Sequence, residues 1–377
     1  MRTLILSISA GGGHVNASEA MECYIKLENP NNEVKVVDTI KYINPLLDKV
    51  VIGSYLKSLK LSPSLFGKLY DFAETGESIA TFSNKLIEMI IHKLIPLIDD
   101  FSPDIIIATH AFTTEMVSIL KAKGMINIPA LSILTDYAPH SFWIHPNIDA
   151  YVVSTSAMVD EMIKRGVDKS ILYPLGIPVK PNFLKKYPRE NTLKTLNLNP
   201  DKKTVLLMGG SLGLGKLCLL YEELQKVDLD IQIIAITGNN KKLFNQLTEL
   251  SSNSVKDTRI IGYTTEVNKY MQACDLLITK PGGLTITEAL VSGVPLAVFS
   301  AIPGQEQKNA EFLLDNNLAV SLGEGKNCHR TINSLLCNSE KLENMRNNCL
   351  IFAKPNSGYD IKNLMHKLLK ANISKSD

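Results

Sequence analysis

Short apolar runs rich in β-branched residues recur along the first half of the chain, at Thr3–Ser9, Val34–Val37, Ile105–Ala108, Ala130–Leu134 and Tyr151–Val153. Helix-length segments separate them. Continuous apolar runs of this kind predict strands buried on both faces and paired in parallel through βαβ crossovers. The rhythm stops where Pro178, Pro181, Pro188 and Pro200 are interleaved with Lys and Asn, and resumes at Val205–Met208, Ile231–Ala235, Arg259–Ile261, Leu276–Ile278 and Pro295–Phe299. The pattern predicts an α/β protein of two doubly wound domains, 1–179 and 180–377, with a linker at about 178–200. Ligands of such sheets bind beyond the carboxyl ends of the strands, and two facing domains make a cleft.

Composition narrows the class of partner. The 377 residues carry 40 Lys and Arg against 38 Asp and Glu, a net charge of +2, which excludes nucleic-acid binding through overall charge. Met1–Ser9 is too short for a signal-peptide core, and the apolar stretch Leu86–Ile98 is broken by Glu88, His92 and Lys93. The chain is expected to be cytoplasmic, at most lying on a membrane surface. Six cysteines without a C-x-x-C pair fit free thiols in a reducing compartment, and His329 beside Cys328 lacks a second close pair to complete a metal site. One segment departs from the charge balance: Lys41 to Leu69 holds five lysines and one acid, net +4, among Leu, Ile, Val, Tyr and Phe. Such an amphipathic basic surface suits an anionic membrane, with Lys49, Lys57 and Lys60 as contacts; the plainer alternative is a solvated surface helix.

Three glycine-containing loops follow predicted strands. In Ser9-Ala10-Gly11-Gly12-Gly13-His14 the glycines allow close backbone approach, and the following helix offers free N–H groups to an anion or a reacting oxygen. Asn16 stands where the dinucleotide fingerprint needs its last glycine. His14 has the titration range of a general base, or caps the helix start. Gly210 to Lys216 satisfies G-x-x-x-x-G-K, but Leu217 replaces the Ser or Thr that binds magnesium in a P-loop, leaving a phosphate-cradling loop without that metal. The third loop, Thr279-Lys280-Pro281-Gly282-Gly283-Leu284-Thr285-Ile286-Thr287-Glu288, is followed after one more strand by Pro303-Gly304-Gln305-Glu306-Gln307-Lys308-Asn309. Its glycines can bring backbone N–H groups to phosphate, and a carboxylate can take both hydroxyls of a ribose. Gln305, Glu306 and Asn309 add donors and acceptors suited to sugar hydroxyls. Turn glycines and caps explain either segment singly but strain to explain both.

These motifs together, G-G-G-H, G-G-S-x-G, K-P-G-G-x-T-x-T-E-A-L and P-G-Q-E-x-x-N, resemble the glycosyltransferases that make monoglycosyldiacylglycerols. That family comprises bacterial diacylglycerol glucosyltransferases and plant monogalactosyldiacylglycerol synthases, distant relatives of the N-acetylglucosaminyltransferase of peptidoglycan synthesis. Leu134–Tyr137, Trp143–Pro146 and Gly176–Val179 also look like family segments, so the resemblance runs nearly the whole chain.

The resemblance implies a GT-B fold, with the acceptor, diacylglycerol, on the first Rossmann-like domain and UDP-hexose on the second. It implies that Glu288 binds ribose, that Gly282, Gly283 and Thr285 bind the pyrophosphate, and that Gly210, Ser211 and Gly213 approach the same phosphates. Lys280 would stabilise the leaving diphosphate, and Gln305, Glu306 and Asn309 would lie near the sugar. His14 and Asp136, with Gly12 and Gly13 in the acceptor loop, would serve deprotonation of the acceptor or hold the base. Asp228-Leu229-Asp230 forms a D-x-D but precedes a strand instead of following one, so it reads as a turn and the reaction is expected to need no metal. His110 follows a strand but matches the motif weakly, and it stays outside the catalytic set. The expected activity is inverting transfer of glucose, before galactose, to diacylglycerol at the inner membrane face. The alternatives are another lipid acceptor or a non-catalytic UDP-sugar sensor. Replacing Lys49, Lys57 and Lys60 with Glu is expected to weaken flotation with anionic liposomes and flatten its salt dependence. Unchanged flotation would return the segment to a solvated surface.

Overall fold

The computed structural model describes residues 1–9, 12–44, 90–210 and 216–373. They form two compact units: Met1–Pro181 with Ile302–Gln305 and the segment from Lys354 onward, and Asn182–Ala301 with Glu306–Ala353. Lys49, Lys57, Lys60, Ser211 and Gly213 lie outside the described residues.

The first unit holds β1 (Arg2–Ser7), β2 (Glu33–Asp38), β3 (Ile105–Ala108), β4 (Ala130–Ile133), β5 (Ala150–Val152) and β6 (Leu172–Tyr173). They form one parallel sheet in the order β2-β1-β3-β4-β5-β6. The second unit holds β7 (Lys203–Met208), β8 (Ile231–Ile236), β9 (Asp257–Ile261), β10 (Leu276–Thr279), β11 (Leu296–Val298) and β12 (Ala319–Ser321), in the parallel order β12-β11-β10-β7-β8-β9. Each sheet thus leaves its first strand on one side, to β2 or β8, and later returns on the other, as β3 or β10. The strand order reverses between β1 and β3 and between β7 and β10, the places where open α/β sheets bind ligands.

The apolar runs become strands because both faces of the central ones are covered. Leu4, Leu6 and Ile106 join the core on one face, while Ile5, Ile105 and Ile107 join the core on the other. Register pairs Leu4 with Ile106 and Ile5 with Ile107, so each face is a continuous apolar layer. The two strands that the apolar-run pattern omits, β6 and β12, are edge strands of two and three residues, too short to stand out.

The helix Ser357–Ile373 belongs to the first unit, whereas the sequence reading continued the second domain to residue 377. Ile361, Leu364 and Met365, spaced three and four apart, cover the same sheet face as Met21 and Ile25 of the helix Gly12–Glu28. The strand rhythm carries no sign of this return, because the helix completes a face begun at the other end of the chain. Docking is close: Ser357 Oγ donates to the Gly176 carbonyl at 2.7 Å, and Gly176 has the left-handed φ of +88° that glycine tolerates. Lys362 Nζ and His366 Nε2 reach the Glu28 carboxylate at 2.8 and 3.0 Å. A Cβ on Gly358 would lie 2.1 Å from the Tyr24 ring. Among the described residues no helix is long and apolar enough to cross a membrane.

The Tyr24 hydroxyl is buried with no hydrogen-bond partner among the described residues, and burial pushes its phenol up to about 12. Gly358→Ala is therefore expected to cost at least about 1–3 kcal/mol through overpacking. Tyr24→Phe, which removes an unpaired buried hydroxyl, should be neutral or slightly stabilising. Urea unfolding midpoints of the two variants against the parent decide both.

Candidate active site

In the first unit three loops leave adjacent carboxyl ends. After β1 the chain enters the helix Gly12–Glu28, with Gly12 and Gly13 as its first residues and His14 in its first turn. After β3 come Thr109 and His110, the latter capping the helix Ala111–Ala122 by accepting the Phe112 N–H at Nδ1, 3.1 Å. After β4 come Thr135 and Asp136. A buried layer of hydroxyls ties the first two loops together. Thr109 Oγ1 donates to Ser7 Oγ at 3.0 Å, Ser18 Oγ lies 3.0 Å from Thr109 Oγ1, and Ser18 Oγ donates to the His14 carbonyl at 3.0 Å.

His14 Nδ1 sits 2.9 Å from the Thr109 carbonyl oxygen and 2.8 Å from Thr135 Oγ1. A carbonyl oxygen only accepts, so this contact assigns the proton to Nδ1 and leaves the lone pair on Nε2. Burial lowers the His14 imidazole below its ordinary value, against the upward pull of the Asp136 charge and of the hydrogen bond to Thr109. The ring is therefore neutral at pH 7, the form a base requires. The His110 ring meets it edge to face, with centroids 4.5 Å apart at 65°. Burial, followed by the charge His14 can carry, drives His110 well below its ordinary value. Trp143, 1% exposed, lies 6.5 Å from His14 between ring centroids.

The structure thus brings His14 and Asp136 together and adds Thr109, Thr135 and His110, none of them among the candidate site residues. Thr109 acts through its backbone carbonyl, for which side-chain identity gives no signal. His140 and His145 build the loop around Trp143. His140 Nδ1 accepts the Phe142 N–H at 3.1 Å, and His145 Nε2 lies 2.8 Å from the Phe142 carbonyl.

In the second unit the loops after β7, β10 and β11 are neighbours, since β10 pairs with both of the others. Gly210, after β7, adopts φ +73°, and nothing among the described residues lies within 4 Å of where a Cβ would stand. Gly282 caps the helix Gly283–Ser292 in extended conformation, leaving its first N–H groups free of side-chain capping. Thr287 turns inward, its Oγ1 donating to the Gly283 carbonyl at 2.9 Å, whereas Thr285 and Glu288, three residues apart, are both only half-buried. Lys280 Nζ pairs with Glu306 Oε2 at 3.2 Å, both largely buried. Asn309 is buried and donates its amide to the Pro281 carbonyl at 3.1 Å, so it fastens the Pro281-Gly282-Gly283 turn. Gln305, the last residue of the segment Ile302–Gln305 that belongs to the first unit, opens the helix Gln305–Asp315 and is half-buried. Lys216, at the end of the β7 loop, meets Glu324 at 2.6 Å.

Asp228 and Asp230 lie at the amino end of β8, away from the carboxyl-end loops. Asp230 pairs with Lys202 at 3.0 Å and Asp228 accepts from Asn333 at 3.4 Å, as in a structural turn. Among the described residues no three His, Cys, Asp or Glu side chains cluster as metal ligands, and His329 Nδ1 is taken by Glu223 at 2.7 Å.

Residues 14–179 match the monogalactosyldiacylglycerol synthase family and residues 204–363 the C-terminal domain of glycosyltransferase family 28. The processive diacylglycerol β-glucosyltransferase of Bacillus pumilus is 30% identical over 92% of this chain and 90% of its own length. The chain belongs to the diacylglycerol glycosyltransferase family. The Bacillus subtilis enzyme of the same description is 31% identical over the same shares of each chain. Among solved structures this diacylglycerol glycosyltransferase relative superposes on Acinetobacter baumannii MurG with a TM-score of 0.62, at 16% identity, over 97% of this chain and 99% of that one. Anabaena HepE in complex with UDP-glucose gives 0.55 at 15% identity over 99% and 100%. At such identities the likeness speaks to fold alone, and that fold is GT-B, two Rossmann-like domains.

Selective ¹⁵N labelling of the seven histidines, with His14→Asn to assign the signal, is expected to show His14 protonated at Nδ1 at neutral pH. Its midpoint should fall below 6.5. An Nε2-protonated ring would contradict the assignment made from Thr109.

Proposed function

We propose that the protein is an inverting glycosyltransferase that moves glucose, in preference to galactose, from its UDP carrier to the hydroxyl of diacylglycerol at the inner face of the cell membrane. The observation that carries this reading is the pinned His14 imidazole in a chain whose curated relatives are diacylglycerol β-glucosyltransferases. An alcohol is a weak nucleophile until a base takes its proton. His14 Nε2 accepts that proton as the hydroxyl oxygen attacks the anomeric carbon. The bond from that carbon to the UDP β-phosphate oxygen breaks, UDP leaves with the electron pair, and the α-linkage becomes a β-glycoside. Asp136 stabilises the imidazolium that forms, in keeping with the upward pull its charge exerts on His14.

On the donor side, Gly210, Gly282, Gly283 and Thr285 hold the diphosphate through backbone N–H groups and a hydroxyl, and the Gly283 helix dipole favours its charge. Lys280 neutralises charge on the departing UDP, with Glu306 setting its position. Glu288 takes the ribose hydroxyls, and Gln305 and Glu306 face the hexose, with Asn309 holding the turn beneath them. The reaction uses no metal; the support is the placement of Asp228 and Asp230 at the amino end of β8, where they cannot serve the carboxyl-end loops. Lys49, Lys57 and Lys60 dock the enzyme on anionic lipid.

Labelled UDP-glucose and UDP-galactose offered with vesicles, with and without diacylglycerol and in EDTA, test the reading. Transfer is expected from UDP-glucose first, only with diacylglycerol, and undiminished by chelation; transfer without diacylglycerol would overturn the acceptor. His14→Asn should lower kcat by about 10²–10⁴ while leaving calorimetric UDP binding intact. In the parent, kcat/KM should fall on acidification with a midpoint below 6.5, the ordinary imidazole value, because the base is active only when deprotonated and burial lowers it.

A further inference from the structure

We propose that His110 is a positioning residue for the transfer: its ring, backed by Phe112, braces the His14 imidazole so that Nε2 faces the acceptor hydroxyl. The proposal rests on the base role given to His14 above. The loop after β3 meets His14 twice. The Thr109 carbonyl holds Nδ1 at 2.9 Å, and the His110 ring stands against the His14 ring with centroids 4.5 Å apart at 65°. Both hydrogen bonds to His14, from Thr109 and Thr135, converge on the same atom, Nδ1. Those bonds fix the tautomer and restrain rotation about Cβ–Cγ through one edge of the ring only. The ring-to-ring contact adds a second restraint away from Nδ1, and edge-to-face geometry at this separation is favoured for aromatic pairs.

His110 is itself held on three sides. Its Nδ1 accepts the Phe112 N–H at 3.1 Å, its ring lies parallel to that of Phe112 at 5.6 Å and 10°, and its carbonyl accepts from Thr113 Oγ1 at 2.7 Å and Thr114 Oγ1 at 3.2 Å. Capping a helix needs only a short acceptor such as Asn, Asp or Ser. The imidazole exceeds that need, and its ring contacts go to His14 on one side and Phe112 on the other. Because Nδ1 is occupied as an acceptor, the neutral ring carries its proton on Nε2 and presents no second base beside His14.

Two substitutions separate bracing from capping. His110→Asn keeps the cap and loses the ring; His110→Phe keeps the ring and loses the cap. Bracing predicts that His110→Asn lowers kcat at least tenfold, with KM for UDP-glucose and calorimetric UDP affinity within twofold of the parent, since sub-ångström misplacement of a reacting group is costly. It predicts that His110→Phe keeps at least a third of kcat despite a lower melting temperature. The reverse order, a fast Asn variant and a slow Phe variant, would reduce His110 to a cap and overturn the proposal. A second readout needs no turnover: with Thr109 still holding Nδ1 in both variants, the order of the His14 ring, read from ¹³C relaxation at Cε1 and Cδ2, should fall in His110→Asn and stay at the parent value in His110→Phe. Unchanged ring order in His110→Asn counts against bracing, even if the acceptor proves not to be diacylglycerol.

Discussion

The structure depends on one constraint: the central strands of both sheets are covered by apolar packing on both faces. With Leu4 and Leu6 committed to one core and Ile5 to the other, the interior of the sheet has no room for chemistry. Polar function is forced to the strand ends, and the crossover pattern opens one place in each sheet where neighbouring loops diverge. His14 and Thr109 stand at that place in the first sheet, and the turn preceding the Gly283 helix stands at it in the second. The hydroxyl layer of Ser7, Ser18 and Thr109 is the boundary between the two regimes, polar enough to hold the histidine loop and small enough to stay buried.

Much of this was legible in the residues, for a reason that also sets the limit. Parallel strands buried on both faces write themselves as near-continuous apolar runs; ten of the twelve strands stood out by such runs, although Lys35 and Arg259 interrupt those of the edge strands β2 and β9. The exceptions, β6 and β12, bury too little to leave a run. Glycine loops announce a ligand by their position after a strand, which is how Gly12, Gly210 and Gly282 stood out. What stayed hidden acts through the backbone or through packing. The Thr109 carbonyl would serve equally well from another residue, and the contact of His110 with His14 joins two loops far apart in sequence.

The loops assigned to the donor in the proposed reading divide between side chains left accessible and side chains that hold the turn. Thr285 and Glu288 share an accessible face of their helix, while Thr287 and Asn309, equally conspicuous in the motif, are buried and bonded to the Gly283 and Pro281 carbonyls. A motif records both kinds of residue alike, since losing either spoils the loop. Burial and hydrogen-bond direction tell them apart. The same test separates Asp228 and Asp230, whose spacing suggests a metal but whose partners are Lys202 and Asn333.

The placement of the helix Ser357–Ile373 on the first sheet bears on how the polypeptide is made. A ribosome releases a chain from its amino end, and domains commonly fold in that order. Here the second unit requires nothing beyond Ala353, whereas the sheet face around Ile5, Met21 and Ile25 waits for Ile361, Leu364 and Met365. The unit translated first is finished last. Until then its open apolar face is what a chaperone would meet, so the burden of protecting the nascent protein falls on the first unit until the helix Ser357–Ile373 has been synthesised.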